Sequence, residues 1–219
     1  MARCTHTGAF GMAVCSSSPA VGARCIHLRH GVGAVASQNI TDPRLGERVL
    51  DLLGRGRSAQ EAIDLLALNE PTIDYRQIGA VGSDGSSAVL SGRRVLGVFH
   101  QRSEENVAAL GNLLATESVI DAMIESFLIN GSGDLGDRLL GALATALRAG
   151  GEAGPVRSAA LVVTNDAGWP ETDLRVDYSD SPIHKLKRLW SIWAPQRHDY
   201  ITRGVDPRNA PKYGVAGDM

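Results

Sequence analysis

Residues 10–16 read FGMAVCS, a short apolar run bounded by Gly8 and Pro19. A run of this length between turn signals reads as a buried strand. Thr5-His6-Thr7-Gly8 just before it has turn chemistry, which makes Ala2–Cys4 the other arm of a hairpin. The two arms are unequal, about four residues facing seven or eight. Either the hairpin is lopsided, or the numbered start lies inside a strand whose beginning is missing.

Outward from this hairpin the chain alternates between the two periodicities. Cys25–Arg29 and Gly33–Gln38 read as two more extended segments bent at Gly31. Arg44–Leu53 is weakly amphipathic and ends at Gly54 and Gly56; Ser58-Ala-Gln-Glu61 is a capping box, followed by the stripe Ala62, Ile63, Leu65 and Leu66. Arg76–Val81, Ser86–Leu90 and Val95–Phe99 read as strands, the first two joined by Asp84-Gly85. Apolar residues at three- and four-residue spacing predict helices over Thr116–Ile129 and Leu135–Ala149. Ser158–Thr164 and Asp173–Asp177 read as strands around a loop at Asp166–Pro170. Ser181-Pro182 opens a last helix with Ile183, Leu186, Leu189, Trp190 and Trp193 inside. Strands first, helices grouped in the middle and strands again near the end give a layered α+β architecture, not alternating βαβ units. The expected organisation is one domain over residues 1–193 and an extension over 194–219, which packs on the surface or on a neighbouring subunit.

The bulk composition narrows the function classes. Of 219 residues, 43% are hydrophobic and 21% charged, with a formal net charge of −2, which argues against a nucleic-acid-binding face. No stretch of 18 uninterrupted apolar residues is present, so no membrane span is expected. Cys4, Cys15 and Cys25 have no metal-type spacing, and the start lacks a charged region followed by an apolar run. A reducing cytoplasm with free thiols is the expectation.

Four clusters invite a chemical reading. In an extended Cys25-Ile-His27-Leu-Arg29-His30, Cys25, His27 and Arg29 share one face, too few ligands for zinc, so neither metal nor cofactor is expected. Ser16, Ser17 and Ser18 present hydroxyls at a strand end, where serines more often serve the turn. Ser37-Gln38-Asn39 could polarise a carbonyl or merely lead the turn into Asp42-Pro43. The glycines of 79–85 lie between strands and open no helix, which rules out a phosphate cradle; Gly111-Asn112 is equally weak as a nucleotide motif.

Taken in order, GAFGMAVCSSSPAVGA (8–23), HGVGAVASQNITDPRLGERVLDLLGRGRSAQEAI (30–63), RQIGAVGSDGSSAVLSG (76–92), GNLLA (111–115), RSAALVV (157–163) and DLRVDYSDSPIHKLKRL (173–189) resemble a family of unknown function, DUF1028. That family is grouped with the N-terminal-nucleophile (Ntn) hydrolases. The tail YITRGVDPRNAPKYGVAGD (200–218) resembles an extension of bacterial members. The resemblance implies a four-layer αββα sandwich of two antiparallel sheets flanked by helices. It implies cleavage of an amide or peptide by a free N-terminal Thr, Ser or Cys, its own α-amine acting as base. Similar chains begin several residues earlier, with a short strand carrying Thr or Ser; here Met1 or, once it is removed, Ala2 offers no such nucleophile.

By the same resemblance Ser16–Ser18 stand where an acidic partner sits, His27 and Arg29 near the basic support of the nucleophile, and Ser37-Gln38 at the oxyanion hole. Ser17 then replaces an acid and Arg29 a lysine, and an arginine cannot accept a proton. Ser16, Ser17, Arg29 and Gln38 are the catalytic candidates, and His27, Ser37, Asn39 and Asn112 the substrate-contacting ones. Ser16, Arg29 and Gln38 are expected to face one cleft. An Ntn-type amide hydrolase acting on a small amide or peptide is the first reading. A non-catalytic protein that binds a small molecule or assembles is the second, and the long irregular tail points to a homo-oligomer.

Overall fold

The computed structural model describes residues 1–217. Its strands are β1 (Ala2–Arg3), β2 (Phe10–Ser16), β3 (Ile26–Arg29), β4 (Gly33–Asn39), β5 (Arg76–Gly82), β6 (Ser87–Ser91), β7 (Val98–Glu104), β8 (Val107–Leu114), β9 (Ser158–Thr164) and β10 (Pro170–Val176). Its helices are α1 (Gly22–Cys25), α2 (Pro43–Gly54), α3 (Ala59–Leu68), α4 (Ser118–Ile129), α5 (Leu135–Arg148), α6 (Pro182–Trp193) and α7 (Arg197–Val205).

Two antiparallel sheets form the centre. One has six strands in the order β10-β9-β2-β1-β8-β7, the other four in the order β3-β4-β5-β6. Period-two alternation assigns each strand two faces. Val35, Ile78 and Ala80 look outward to Leu45, Val49, Leu50, Ile63 and Leu66 on α2 and α3. Ala34, Ala36 and Val81 look inward and meet Met1, Phe10, Met12 and Ala108 of the six-stranded sheet. The far face of that sheet carries α4, α5 and α6 through Ile120, Ile124, Leu139, Leu143, Leu186 and Trp190. The result is the four-layer αββα sandwich.

Local chemistry fixes the helix starts. Asp42 accepts from the Arg44 amide ahead of Pro43, Asp134 caps α5, and both halves of the Ser58/Glu61 capping box form. Gly46 of α2 lies against the His27 ring of β3 so closely that a Cβ there would stand 2.1 Å from His27 Cδ2. This glycine sets the spacing between the outer helical layer and β3.

Several boundaries differ from the sequence reading. The strand expected at Val95–Phe99 begins at Val98 and continues through polar residues to Glu104, where its hairpin partner β8 follows. The polar stretch 101–106 hides this hairpin because β7 is an edge strand with little burial on either face. β10 starts at Pro170, ahead of the expected Asp173. The extension contains α7, which folds back onto the domain. Arg197 pairs with Asp134, Trp193 stacks near Tyr200 with ring centroids 5.0 Å apart, and Arg203 lies 4.1 Å from the Tyr213 ring centroid.

Candidate functional site

The six-stranded sheet is incomplete at its centre. β1 contributes only two residues between β2 and β8, with Ala2 opposite both Gly11 and Val107. Met1 extends the ladder by one step. Its α-ammonium donates to the Ala108 carbonyl at 3.0 Å, and the Ala108 amide donates to the Met1 carbonyl at 3.0 Å. Past this point Ala13–Ser16 of β2 and Ala109–Asn112 of β8 continue with no strand of the described residues between them. Adjacent strands lie about 4.8 Å apart, so β2 and β8 stand about 9.6 Å apart where β1 runs between them.

Residues in an antiparallel ladder point their N–H and C=O alternately to the two sides. Ala9 bonds toward β1 through its carbonyl and Ala108 bonds toward Met1 through both groups, so Ala13, Cys15 and Leu110 direct theirs into the opening. The resulting cavity, about 150 Å³, is walled from both sides of the sheet. Val14, Cys25, Gln38 and Thr41 border it between the sheets, and Val119, Ile120, Met123 and Leu143 of α4 and α5 border it beyond.

The mouth is polar. Ser16 Oγ lies 3.0 Å from Ser18 Oγ, and Arg24 donates to Ser18 Oγ at 2.9 Å and to the Pro19 carbonyl at 2.8 Å. Glu152 accepts the Ser17 amide with both carboxylate oxygens, at 3.1 and 3.2 Å. On the opposite sheet, buried Gln77 links the amides. Its Oε1 accepts from Gln38 Nε2 at 2.8 Å and Asn112 Nδ2 at 3.2 Å, and its Nε2 donates to Ser91 Oγ and the Gly111 carbonyl. Gln77 thus joins β4, β5, β6 and β8 behind the cleft.

Burial decides the protonation of the groups inside. Desolvation lowers the Met1 α-ammonium from 8.0 to about 5, because its partner is a neutral carbonyl. Desolvation, reinforced by the charge of Glu152, pushes the Cys15 thiol up to about 12. Cys25 is also raised by burial, against a hydrogen bond with Thr41 that acts the other way. A thiol held in its neutral form is a poor nucleophile, so neither cysteine is an activated group at neutral pH. An amine in the same cleft is a free base there.

The fold brings Ser16, Gln38, Asn39 and Asn112 to this one cavity. It takes the others elsewhere. Arg29 pairs with Glu47 and Asp51 of α2, and His27 Nδ1 lies 3.3 Å from Glu47. Both project to the outer face of the four-stranded sheet, so the expected shared cleft of Ser16, Arg29 and Gln38 does not form. The cause is local. Cys25 ends the short helix α1, so the strand phase restarts at Ile26 and His27 and Arg29 fall on the side opposite Ile26 and Leu28. Cys25 therefore lines the cleft while His27 and Arg29 do not.

Ser37 also departs from expectation. It faces the helical layer, where its hydroxyl donates to the Asp42 carbonyl at 2.9 Å, while Gln38, one residue on, faces the cleft. Asn39 adopts a positive φ of 74° and spends its side chain on the Tyr75 carbonyl and the Leu96 amide, a turn-holding role. Ser17 contributes its backbone amide to Glu152. Arg24, Gln77 and Glu152 were not singled out in the sequence. Gln77 carried a signal, a polar residue in the buried strand RQIGAVG on the same parity as Gly79 and Val81. Among the described residues no group of three or more His, Cys, Asp or Glu side chains could hold a metal ion. No described helix is long and apolar enough to cross a membrane.

The model of a family of unknown function, DUF1028, matches residues 1–186. This chain belongs to the DUF1028 family. A solved relative in fold is the crystal structure of protein SPO2555 from Silicibacter pomeroyi, assigned to DUF1028. It is 29% identical with a TM-score of 0.85, over 92% of this chain and 88% of that one. The DUF1028 match ends within α6, ahead of α7 and the tail. No curated protein matches the chain.

Proposed function

We propose that this DUF1028 protein is an amide hydrolase of the N-terminal-nucleophile type, acting on a small amide or short peptide at the mouth of the inter-sheet cleft. One observation carries the reading. β1 runs along the centre of the six-stranded sheet, and its backward course from Met1 leads between β2 and β8 to the polar mouth at Ser16, Asn112 and Glu152. A nucleophile on the first residue of such a strand needs a base within reach, and its own amine serves if it is unprotonated. Burial lowers the Met1 amine to about 5, so an amine held at the depth of Met1 is neutral at pH 7. In the reaction a Thr, Ser or Cys side chain at the terminus adds to the amide carbonyl while its proton passes to the α-amine. The leaving amine takes that proton, and water then releases the acyl group. Met1 has no attacking hydroxyl or thiol, so forms carrying Thr, Ser or Cys first are the ones to assay. A panel of amides and p-nitroanilides tests the reading. Hydrolysis confined to such forms supports it, and none with any of them refutes it.

A second reading has its own observation. Ser16 and Ser18 bond to each other, Arg24 holds Ser18, and among the described residues no histidine or carboxylate meets either hydroxyl. The chain numbered from Met1 then binds a small amide in the cleft without cleaving it. Thermal-shift titration with the same amides separates binding from turnover.

A further inference from the structure

We propose that the mouth of the cleft is a site for a dipeptide with both ends free, its ammonium held by Glu152 and Asn112 and its carboxylate by Arg24. Opposite charges line one cavity there without meeting. Arg24, in α1, spends one nitrogen on Ser18 Oγ at 2.9 Å and the Pro19 carbonyl at 2.8 Å. Glu152 closes the cavity between the ends of β2 and β8. Its backbone bridges to Leu114, and its carboxylate accepts the Ser17 amide. Both side chains are half-buried, and among the described residues neither has an ion-pair partner. Such charges gain most from a ligand that brings the opposite sign with hydrogen bonds. They also stand apart. The Glu152 charge reaches Cys15, which packs toward α4 and α5, whereas the Arg24 charge reaches Cys25, beside Val14.

The amides between them are oriented by Gln77. Its Nε2 donates to the Gly111 carbonyl at 3.0 Å, and a carbonyl only accepts, so Gln77 must offer its Oε1 to Gln38 and Asn112. Both therefore turn their nitrogens to Gln77, and Gln38 gives its second hydrogen to the Leu110 carbonyl at 3.4 Å. Gln38 Oε1 and Asn112 Oδ1 are left without a partner among the described residues, on side chains that line the cavity. With Glu152 they form a set of acceptors suited to an ammonium and a peptide N–H. Arg24 is the one side-chain cation of the described residues on this cavity, and it suits a carboxylate.

The span sets the length. From Arg24 through Ser18 and Ser17 to the Glu152 carboxylate is at most about 12 Å by covalent geometry. A dipeptide with a hydrogen bond at each end spans about 12 Å, and a tripeptide about 16 Å. Two residues are the longest extended chain that both charges hold at once, and the single amide then lies between them. This deepens the hydrolase reading and rests on it only for cleavage of that amide, which takes up one water and releases two amino acids.

Calorimetric titration of the chain numbered from Met1 tests the site with Ala-Ala, its N-acetyl form, its C-terminal amide and tri-alanine. Ala-Ala is expected to bind, and each of the other three to bind about tenfold more weakly or worse. In Arg24→Met the penalty for the C-terminal amide should shrink to within about twofold while that for acetylation persists. Glu152→Gln, which keeps an acceptor for the Ser17 amide, should do the opposite. No binding of Ala-Ala overturns the proposal, as do capped peptides that bind equally well or both penalties surviving in both variants. Should a variant fail to fold, the four ligands on the unaltered chain decide. Cleavage assays separate the two claims. Ala-Ala bound with both penalties but never cleaved leaves the site standing and removes the hydrolase reading. Capped amides cleaved as fast as Ala-Ala do the reverse.

Discussion

The buried amine of Met1 makes a quantitative pH prediction. In a form whose first residue is Met1, the α-amine has its ordinary value of 8.0 when unfolded and about 5 when folded. Between these values the unfolded chain binds the extra proton, so stability rises as pH rises from 5 to 8. Below pH 5 both states are protonated and the whole burial penalty is present. A difference of about three units corresponds to about 4 kcal/mol, or about 1.4 kcal/mol per pH unit inside the window. Other groups also titrate there, so the reference is the same chain with its N-terminus acetylated, which cannot take up that proton. The two forms are compared by urea denaturation at half-unit steps from pH 4.5 to 9. The free-amine form is expected to be less stable by about 4 kcal/mol at pH 5, relative to their difference at pH 9, with the gap closing steadily between. Parallel curves across the window would mean that the amine is hydrated, and the reasoning that seats Met1 inside the cleft would fail with it.

Three substitutions probe the layers around the cleft. Gly46→Ala drives a methyl group into the His27 ring and should cost about 1–3 kcal/mol in chemical denaturation; His27→Ala in the same chain should restore most of it, and additive losses would refute the contact. Gln77→Leu leaves Gln38 and Asn112 without their shared acceptor and should cost about 1–3 kcal/mol, with weakened amide binding at the mouth. Arg29→Met removes only exposed pairs with Glu47 and Asp51; it should change stability by less than about 1 kcal/mol and leave ligand affinity within twofold, whereas a tenfold loss would return Arg29 to the site.

The sequence made the layers legible because burial is written in periods. FGMAVCS, SAALVVT and the stripes of α4 and α5 each announce one buried face, and the four-layer order follows from their succession. β8 was missed because its partner β7 is polar and poorly buried, so nothing marked the hairpin. The unequal arms around Thr5–Gly8 carried the imprint of the interrupted sheet, since a strand of seven residues had only two to pair with. Side-chain direction was harder. One helical turn at Gly22–Cys25 shifted the phase of His27 and Arg29, and a single step in β4 separated Ser37 from Gln38. Parity errors of this kind move a residue across a whole layer, and no residue type reveals them. Gln77 gathers amides from separate segments, an arrangement visible only once β4, β5 and β8 are side by side.

The strand order carries a consequence for how the chain folds. The four-stranded sheet is made from neighbours in sequence, residues 26–91, with α2 and α3 among them. The six-stranded sheet is not, because β2 pairs with β9, with Phe10 opposite Thr164. Contacts so distant in sequence form slowly, and domains emerge from the ribosome N-terminus first. β2 is therefore held without its β9 partner until nearly three-quarters of the chain exists, while the local sheet can already assemble. Pulse-labelled hydrogen exchange during refolding should find Val35, Ile78 and Ala80 protected before Met12 and Val14. Simultaneous protection of both sheets would place the β2–β9 pairing in the folding nucleus instead.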